Sequence, residues 1–496
     1  MSACASPTMA SQEVLHAFFL PYLTPSHMIP MVEIARLFAA EGVAVTVITT
    51  LCNAQLFQAS IDHDISAGRQ ISVRILNFPS KEVGLPEGIE NFNAIISPEM
   101  TAKIYHAVAL LQNPMEQLIR RHSPDCIVSD TFFPWTVDVA EDLGIPRLSL
   151  NPTSFFFRCV SHSTKLYCPH EKVERENESF VIPGLPDPIQ MKRSQIQDYL
   201  KNKTRYGDLI NRITESELRS YGTLANTFFE LEHAYVNHFK NVIQRKGWPL
   251  GPLSLFCTRV VEHKVAPDRH SCLDWLDNQK PNSVLYVCFG SLVRFPNAQL
   301  IEIASALEAS EHPFIWAVRK GENPKEGEEV EDEGWLPKGF EARIVEAKRG
   351  MIIRGWAPQV QILDHPSVGG FMTHCGWNSV IEAVSAGVPM ITWPLFAEQF
   401  YNEKFVARVV KIGIEVGTET WNSGFTVTSP VVRKEKIEMA VRCLMSDSNE
   451  AKEIRRRTEE LGLKARNAVE DDGSSCSALK DLIDELKAHA AEKRSH

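Results

Sequence analysis

Short β-branched and apolar runs alternate with stretches of helical spacing, and this alternation occurs twice along the chain, which narrows the fold more than any other feature does. In the first series, residues 15–20 are apolar, 21–26 are turn-rich, 28–40 carry apolar residues at helical spacing, and 43–49 are β-branched. Pro30 falls in the helix's first turn, where a missing N–H costs little. Residues 125–129 form a further strand ending at Asp130, 135–143 a helix, and 145–150 another strand. The second series has strands at 283–289, 313–318, 351–354, 368–372 and 388–391. Strand–helix alternation of this kind implies parallel sheets covered on both faces, so the fold class is α/β with two doubly wound, Rossmann-like domains. Ligands of such sheets bind at the strands' carboxyl ends, and a cleft between the halves is the expected active site.

At 496 residues the chain is too long for one compact core. The expected division is residues 1–252, a linker at 253–270 after Trp248-Pro-Leu-Gly-Pro252 breaks the helical pattern, a second domain at 271–475, and a helix at 476–496 that packs back on the first domain. Ser474 and Ser475 are capping candidates for that helix. The stretch 151–221 mixes aromatic, proline and charged residues and reads as an irregular wall of a ligand pocket; residues 321–334 read as a solvated acidic loop. A net charge of -10 offers no basic field for nucleic acid. Eleven dispersed cysteines without a Cys-x-x-Cys pair read as reduced thiols, and residues 1–13 lack the pattern of a secretory signal, so a cytoplasmic protein is expected. No apolar run approaches the roughly 20 residues of a membrane span. Neither a Gly-x-Gly-x-x-Gly fingerprint nor a phosphate-loop sequence occurs, which counts against nicotinamide and ATP chemistry.

The most informative window runs from Trp356-Ala357-Pro-Gln359 through His374-Cys-Gly-Trp377-Asn378-Ser379 and Glu382 to Trp393 and Glu398-Gln399. Trp356 follows a strand end and offers a flat face to a pyrimidine, while Gln359 and the adjacent backbone can pair with base and ribose. His374 to Ser379 lie between a strand and a helix, where free amides receive a diphosphate and Gly376 permits close approach. Glu382, one turn on, can accept hydrogen bonds from two ribose hydroxyls.

Across these positions the window resembles the donor-binding box of plant UDP-dependent glycosyltransferases of family 1, and the resemblance extends over nearly the whole chain. It implies the GT-B fold, two Rossmann-like domains facing each other across a cleft, with a UDP-sugar as co-substrate and no metal or other cofactor. It adds Ser291 as a second phosphate contact and Glu398 and Gln399 as holders of the sugar hydroxyls. Gln399 with Trp377 usually accompanies glucose, although usage leaves galactose and glucuronate open. It also assigns His27 as the catalytic base and Asp130 as the residue that orients it, with direct, inverting displacement as the mechanism. Ser26 departs from the glycine that most relatives carry before the histidine. Asp62-His63-Asp64 has the spacing of the acidic pair in metal-using glycosyltransferases of the other common fold, but helix-start binding of the diphosphate makes a cation unnecessary.

The resemblance looks closest to the saponin and steroid branch. The expected acceptor is a small apolar hydroxylated plant metabolite, foremost a triterpenoid or steroidal aglycone or its glycoside. A flavonoid or phenolic acceptor, or a non-catalytic aglycone-binding protein, is the alternative. A monomer without membrane segment or nucleic-acid partner is expected.

Overall fold

The computed structural model describes residues 14–95, 97–260, 270–318 and 334–495. By internal contacts the chain forms two compact units, one of Met1–Leu150, Ser216–Tyr221 and Leu479–His496, the other of Asn151–Glu215 and Gly222–Ala478.

In the first unit, strands β1 (His16–Leu20), β2 (Ala44–Thr50), β3 (Ile71–Leu76), β4 (Cys126–Asp130) and β5 (Arg147–Leu150) run parallel in the order β3-β2-β1-β4-β5. Strands β4 and β5 are buried throughout, as expected for a parallel sheet covered on both faces. β1 sits at the switch in strand order: the chain leaves it for β2 on one side, and β4 returns on the other. The carboxyl ends of β1 and β4 therefore flank the crevice where open α/β sheets take ligands. The helix Pro25–Ala40 starts in that crevice, with Pro25 at its first position and Met28, Met31, Ile34, Ala35 and Phe38 turned into the core.

Within the same unit, the end of the helix Ser474–Ser495 is tied down by Arg494, which donates to both carboxylate oxygens of Asp125 at 2.8 and 3.0 Å, and by Tyr221, whose hydroxyl donates to Glu485 at 2.9 Å. Asp64 of the acidic pair is fully buried, accepting from Arg36 Nε at 2.5 Å and from Arg69. Asp62 accepts from Gln58 at 2.7 Å. Two guanidinium groups thus already neutralise the buried carboxylate.

The second unit contains six parallel strands, β10 (Val284–Cys288), β11 (Phe314–Val318), β12 (Gly350–Arg354), β13 (Val368–Thr373), β14 (Met390–Thr392) and β15 (Gly413–Glu415), in the order β12-β11-β10-β13-β14-β15. Alternation along β10 assigns Val284 and Tyr286 to one core, with Ile315 and Phe371, and Leu285 and Val287 to another, with Trp316 and Met372. Two separate cores on two faces are what a doubly wound sheet requires. Here the switch lies between β10 and β13.

The stretch 151–221, read as irregular, is largely ordered. It holds the helices Phe155–Tyr167 and Arg205–Arg219 and an antiparallel hairpin of β6 (Ser179–Ile182) and β7 (Ile189–Lys192); a parallel pair, β8 (Gly222–Ala225) and β9 (Gly247–Pro249), follows. Phe155, Phe156 and Phe157 hide the helix from a periodicity reading because more than one side of it is covered. Phe155 packs at a tilt against Phe239, Phe156 edge-on against Tyr235 and at a tilt against Phe405, and Phe157 at a tilt against Tyr401. Residues Leu253–Val260 of the expected linker are helical, and 261–269 lie outside the described residues, as do 321–333 of the expected acidic loop and the terminus 1–13. Ser474 and Ser475 stand inside the last helix rather than before it, and their hydroxyls donate to Glu230 at 2.9 Å and to the Gly251 carbonyl at 2.5 Å.

Candidate active site

At the switch of the first unit, His27 and Asp130 meet. His27 is the third residue of its helix and Asp130 the last of β4, and Nδ1 of the imidazole lies 2.8 Å from Asp130 Oδ2. The carboxylate is wholly buried while the imidazole keeps 16% exposure. The other oxygen, Oδ1, accepts from the Phe132 N–H at 2.9 Å, so the carboxylate is held at both ends. A hydrogen bond from Nδ1–H to such a carboxylate fixes the tautomer with an unprotonated Nε2. The rings of Tyr22 and Phe132 pack edge-on with the imidazole, at 6.0 and 5.7 Å between ring centres, and make its surroundings largely apolar. Ser26 is exposed and 3.4 Å from the Thr24 hydroxyl, on the outer side of the helix start.

At the switch of the second unit, His374 follows β13 and the turn Phe289-Gly290-Ser291 follows β10. A side chain at Gly290, whose φ is +76°, would bring its Cβ within 2.7 Å of His374 Nε2, and one at Gly376 within 2.6 Å. The imidazole is thus clasped between two glycines. Burial pushes its pKa down to about 4, so it is neutral at physiological pH, and its Nδ1 has no hydrogen-bond partner among the described residues. Cys375 between them is forced to a φ of 65°. The helix Trp377–Ala386 then starts at Gly376 without a side-chain cap. Its first amides, at Trp377, Asn378 and Ser379, point to a place suited to an anion, and Ser291 is exposed at the end of the neighbouring turn.

Around this helix start a second cluster forms. Gln359 Nε2 donates to Ser379 Oγ at 3.0 Å and to Glu382 Oε2 at 2.7 Å, and Tyr286 donates to Gln359 Oε1 at 3.4 Å. Burial pushes the Glu382 carboxyl up to about 7. Ala357 is half-buried and its carbonyl accepts from the Gln359 N–H at 2.8 Å. Trp356 beside it is 81% exposed, an unusual position for so large an aromatic side chain. An indole face held open to solvent can stack on a flat ring.

Glu398 and Gln399 stand at the start of the helix Gln399–Lys404. The Gln399 carboxamide oxygen accepts from the backbone N–H of Leu395 and Phe396 at 3.0 and 3.1 Å. That fixes its orientation and leaves the –NH2 end as the group it can offer a ligand. Asn402 bridges Glu398 Oε1 at 3.3 Å and the Cys375 carbonyl at 2.9 Å, joining this turn to the His374 loop.

The structure does not bring every expected side chain to this surface. Trp377 and Trp393 are each 1% exposed. Trp377 donates its indole N–H to the Asn226 carbonyl at 2.8 Å, and Trp393 packs edge-on against Phe289 at 5.3 Å. Both indoles belong to the framework under the window. Conversely, Tyr286 and Asn226 hold site residues yet carry no local signal in the sequence, because each works on a partner far along the chain.

The chain matches the UDP-glucoronosyl and UDP-glucosyl transferase family over residues 100–436. It is 48% identical over 488 residues to UDP-glucosyl transferase 73CC6 of Saponaria officinalis, covering 97% of this chain and 98% of that one. It is also 48% identical to nuatigenin 3-beta-glucosyltransferase of Solanum aculeatissimum, covering 95% and 97%. Among solved structures, Glycyrrhiza uralensis UGT73P12, complexed with glycyrrhetinic acid 3-O-monoglucuronide, superposes with a TM-score of 0.89 at 44% identity, covering 97% of both chains. The fold is that of a GT-B glycosyltransferase. The chain belongs to the UDP-glucoronosyl and UDP-glucosyl transferase family, and its activity is that of a UDP-glycosyltransferase.

Proposed function

We propose that the protein transfers glucose from UDP-glucose to a hydroxyl of a triterpenoid or steroidal acceptor, with inversion at the anomeric carbon. Uracil stacks on Trp356 and pairs at Ala357; the ribose hydroxyls bond to Gln359 and Glu382. The diphosphate is received by the amides of the helix start at Trp377–Ala386, by Asn378, Ser379 and Ser291, and by neutral His374. Glu398 and the Gln399 –NH2 hold the sugar hydroxyls, and Trp377 and Trp393 support the window from beneath.

His27 Nε2 takes the acceptor hydroxyl's proton as that oxygen bonds to the anomeric carbon. The bond from that carbon to the β-phosphate oxygen breaks, and its electron pair leaves with UDP. Asp130 stabilises the imidazolium, and the transition state has oxocarbenium character. No step draws on a metal, since the charge of the leaving diphosphate has amide and hydroxyl partners of its own. The observation that carries this reading is the 2.8 Å bond between His27 Nδ1 and the buried Asp130.

The acceptor class and the donor sugar rest on the resemblance to relatives named for glucosyl transfer and for nuatigenin, and on a solved relative holding glycyrrhetinic acid 3-O-monoglucuronide. Residues 1–252 are proposed as the acceptor-binding domain and 271–475 as the UDP-sugar domain. Among the described residues no helix is long and apolar enough to cross a membrane, and nine cysteines are free. A monomer is proposed, acting in the cytoplasm, where free thiols fit a reducing compartment.

The test is a screen of triterpenoid, steroidal and flavonoid aglycones with UDP-glucose, UDP-galactose and UDP-glucuronate, followed by UDP release and product mass. A triterpenoid or steroid glucoside as the main product is expected. A flavonoid glucoside as the sole product would move the acceptor class, and no product with any pair would leave a binding protein.

A further inference from the structure

We propose that Gln197, far from the donor window in sequence, is a positioning residue for the donor sugar. The proposal rests on the reading that Glu398 and Gln399 hold the sugar hydroxyls. Ala397, immediately before them, has a φ of 51°, a left-handed conformation that disfavours any side chain bearing a Cβ. Something must hold it there. Its carbonyl accepts two hydrogen bonds, from Gln197 Nε2 at 3.1 Å and from Trp421 Nε1 at 3.0 Å.

Gln197 is 2% exposed, and its carboxamide oxygen accepts from the Tyr401 hydroxyl at 2.9 Å. The Ala397 carbonyl needs a donor, so the –NH2 end must face it and the assignment of the amide is fixed. Tyr401 in turn belongs to the helix that begins at Gln399. The carboxamide therefore clamps the turn from both sides: one end grips the peptide before Glu398, the other the helix after Gln399. Trp421 is itself anchored to the segment before Gln197, its backbone N–H donating to the Ser194 carbonyl at 2.9 Å.

If Ala397 relaxes to a right-handed conformation, the peptide leading into Glu398 rotates and the Glu398 carboxylate leaves its place beside Asn402. The diphosphate and uridine contacts lie on other loops, and the His374 loop keeps its own bond from Asn402 to the Cys375 carbonyl. Loss of the clamp should therefore weaken binding of the sugar and spare that of the nucleotide.

The test compares the Kd of UDP-glucose with that of UDP by calorimetry in wild type, Gln197→Ala and Gln399→Ala. Gln197→Ala is expected to weaken UDP-glucose by about fivefold to tenfold, the value of one or two hydrogen bonds, with UDP unchanged. Adding Ala397→Gly to Gln197→Ala, which makes the left-handed turn free of steric cost, should recover most of that loss. Equal weakening of both ligands, or none of either, overturns the positioning role when Gln399→Ala alone still weakens UDP-glucose selectively. If Gln399→Ala also leaves the two ligands in their wild-type ratio, the sugar-holding reading itself has failed. Should Gln197→Ala not fold, Trp421→Phe removes the second donor to Ala397 and carries the same expectations and the same contrary outcomes.

Discussion

The two switch points of this molecule are built on opposite principles. In the first unit, Asp130 is buried and held by two donors, one of them His27, so the dyad is complete before any ligand arrives. In the second, the polar groups are under strain or out of their preferred ionisation. Cys375 and Ala397 have positive φ, the His374 pKa is down to about 4, and the Glu382 carboxyl is up to about 7. The contrast matches the work proposed for each. A base must be oriented at all times, whereas a site for a dianionic nucleotide sugar can store strain and desolvation that the ligand's own charge and hydroxyls relieve.

The sharpest way to break this comparison is at the dyad. Asp130→Asn should lower kcat by about 10²–10⁴-fold, because the carboxamide no longer stabilises the imidazolium, with the KM for UDP-glucose little changed. A parallel loss of donor affinity would mean that the first site also binds the nucleotide. Next in size is the glycine clasp. Gly376→Ala would drive a Cβ into His374, and UDP affinity should fall by about 10–100-fold in a titration while the thermal midpoint drops only modestly. Unchanged UDP affinity would remove His374 and its loop from the diphosphate site.

A smaller effect concerns pH. The unliganded protein keeps a proton on Glu382 that an ordinary carboxyl, at about 4.5, would have lost, and binding ribose hydroxyls calls for the carboxylate. UDP affinity should therefore rise as pH climbs from 5.5 to 8, beyond the change due to the ligand's own phosphate, and Glu382→Gln should abolish that excess. The same proton affects stability. Between pH 4.5 and 7 the folded protein holds protons that the unfolded chain has released, at Glu382 and likewise at buried Glu232 and Glu403, so stability falls as pH rises through that window. A thermal midpoint that increased from pH 5 to pH 7 in the unliganded protein would contradict these burial shifts. The smallest structural effect belongs to Trp356. With 81% exposure its replacement by Ala should leave the melting temperature within about 1 °C, yet raise the UDP-glucose KM roughly tenfold through loss of stacking.

Much of the framework was legible from the residues, for local reasons. The strands from residue 15 and residue 283, and the helices that follow the switch points, announce themselves by runs and spacings contained within a dozen residues. The helix Phe155–Tyr167 was not legible, because Phe155 and Phe156 are buried by partners from Tyr235 to Phe405 rather than by one amphipathic face. The short strands Ile71–Leu76 and Gly413–Glu415 lie at the ends of their strand orders, and their mixed exposure gives no clean alternation. At the site, periodicity alone placed His27 at a loop–helix junction and Asp130 at a strand end, but joining them needed the family resemblance, since 103 residues separate them. Gln197, Tyr286 and Trp421 were silent for the same reason: each acts on a residue a long way off, and nothing in its own neighbourhood records that.

The division of labour between the two sites is tested most directly by titrating UDP into His27→Ala and Glu382→Gln while measuring the turnover of each. That division requires His27→Ala to bind UDP with wild-type affinity and lose turnover by at least about a hundredfold, and Glu382→Gln to lose affinity by several-fold. A His27→Ala protein that still turns over at the wild-type rate would contradict it.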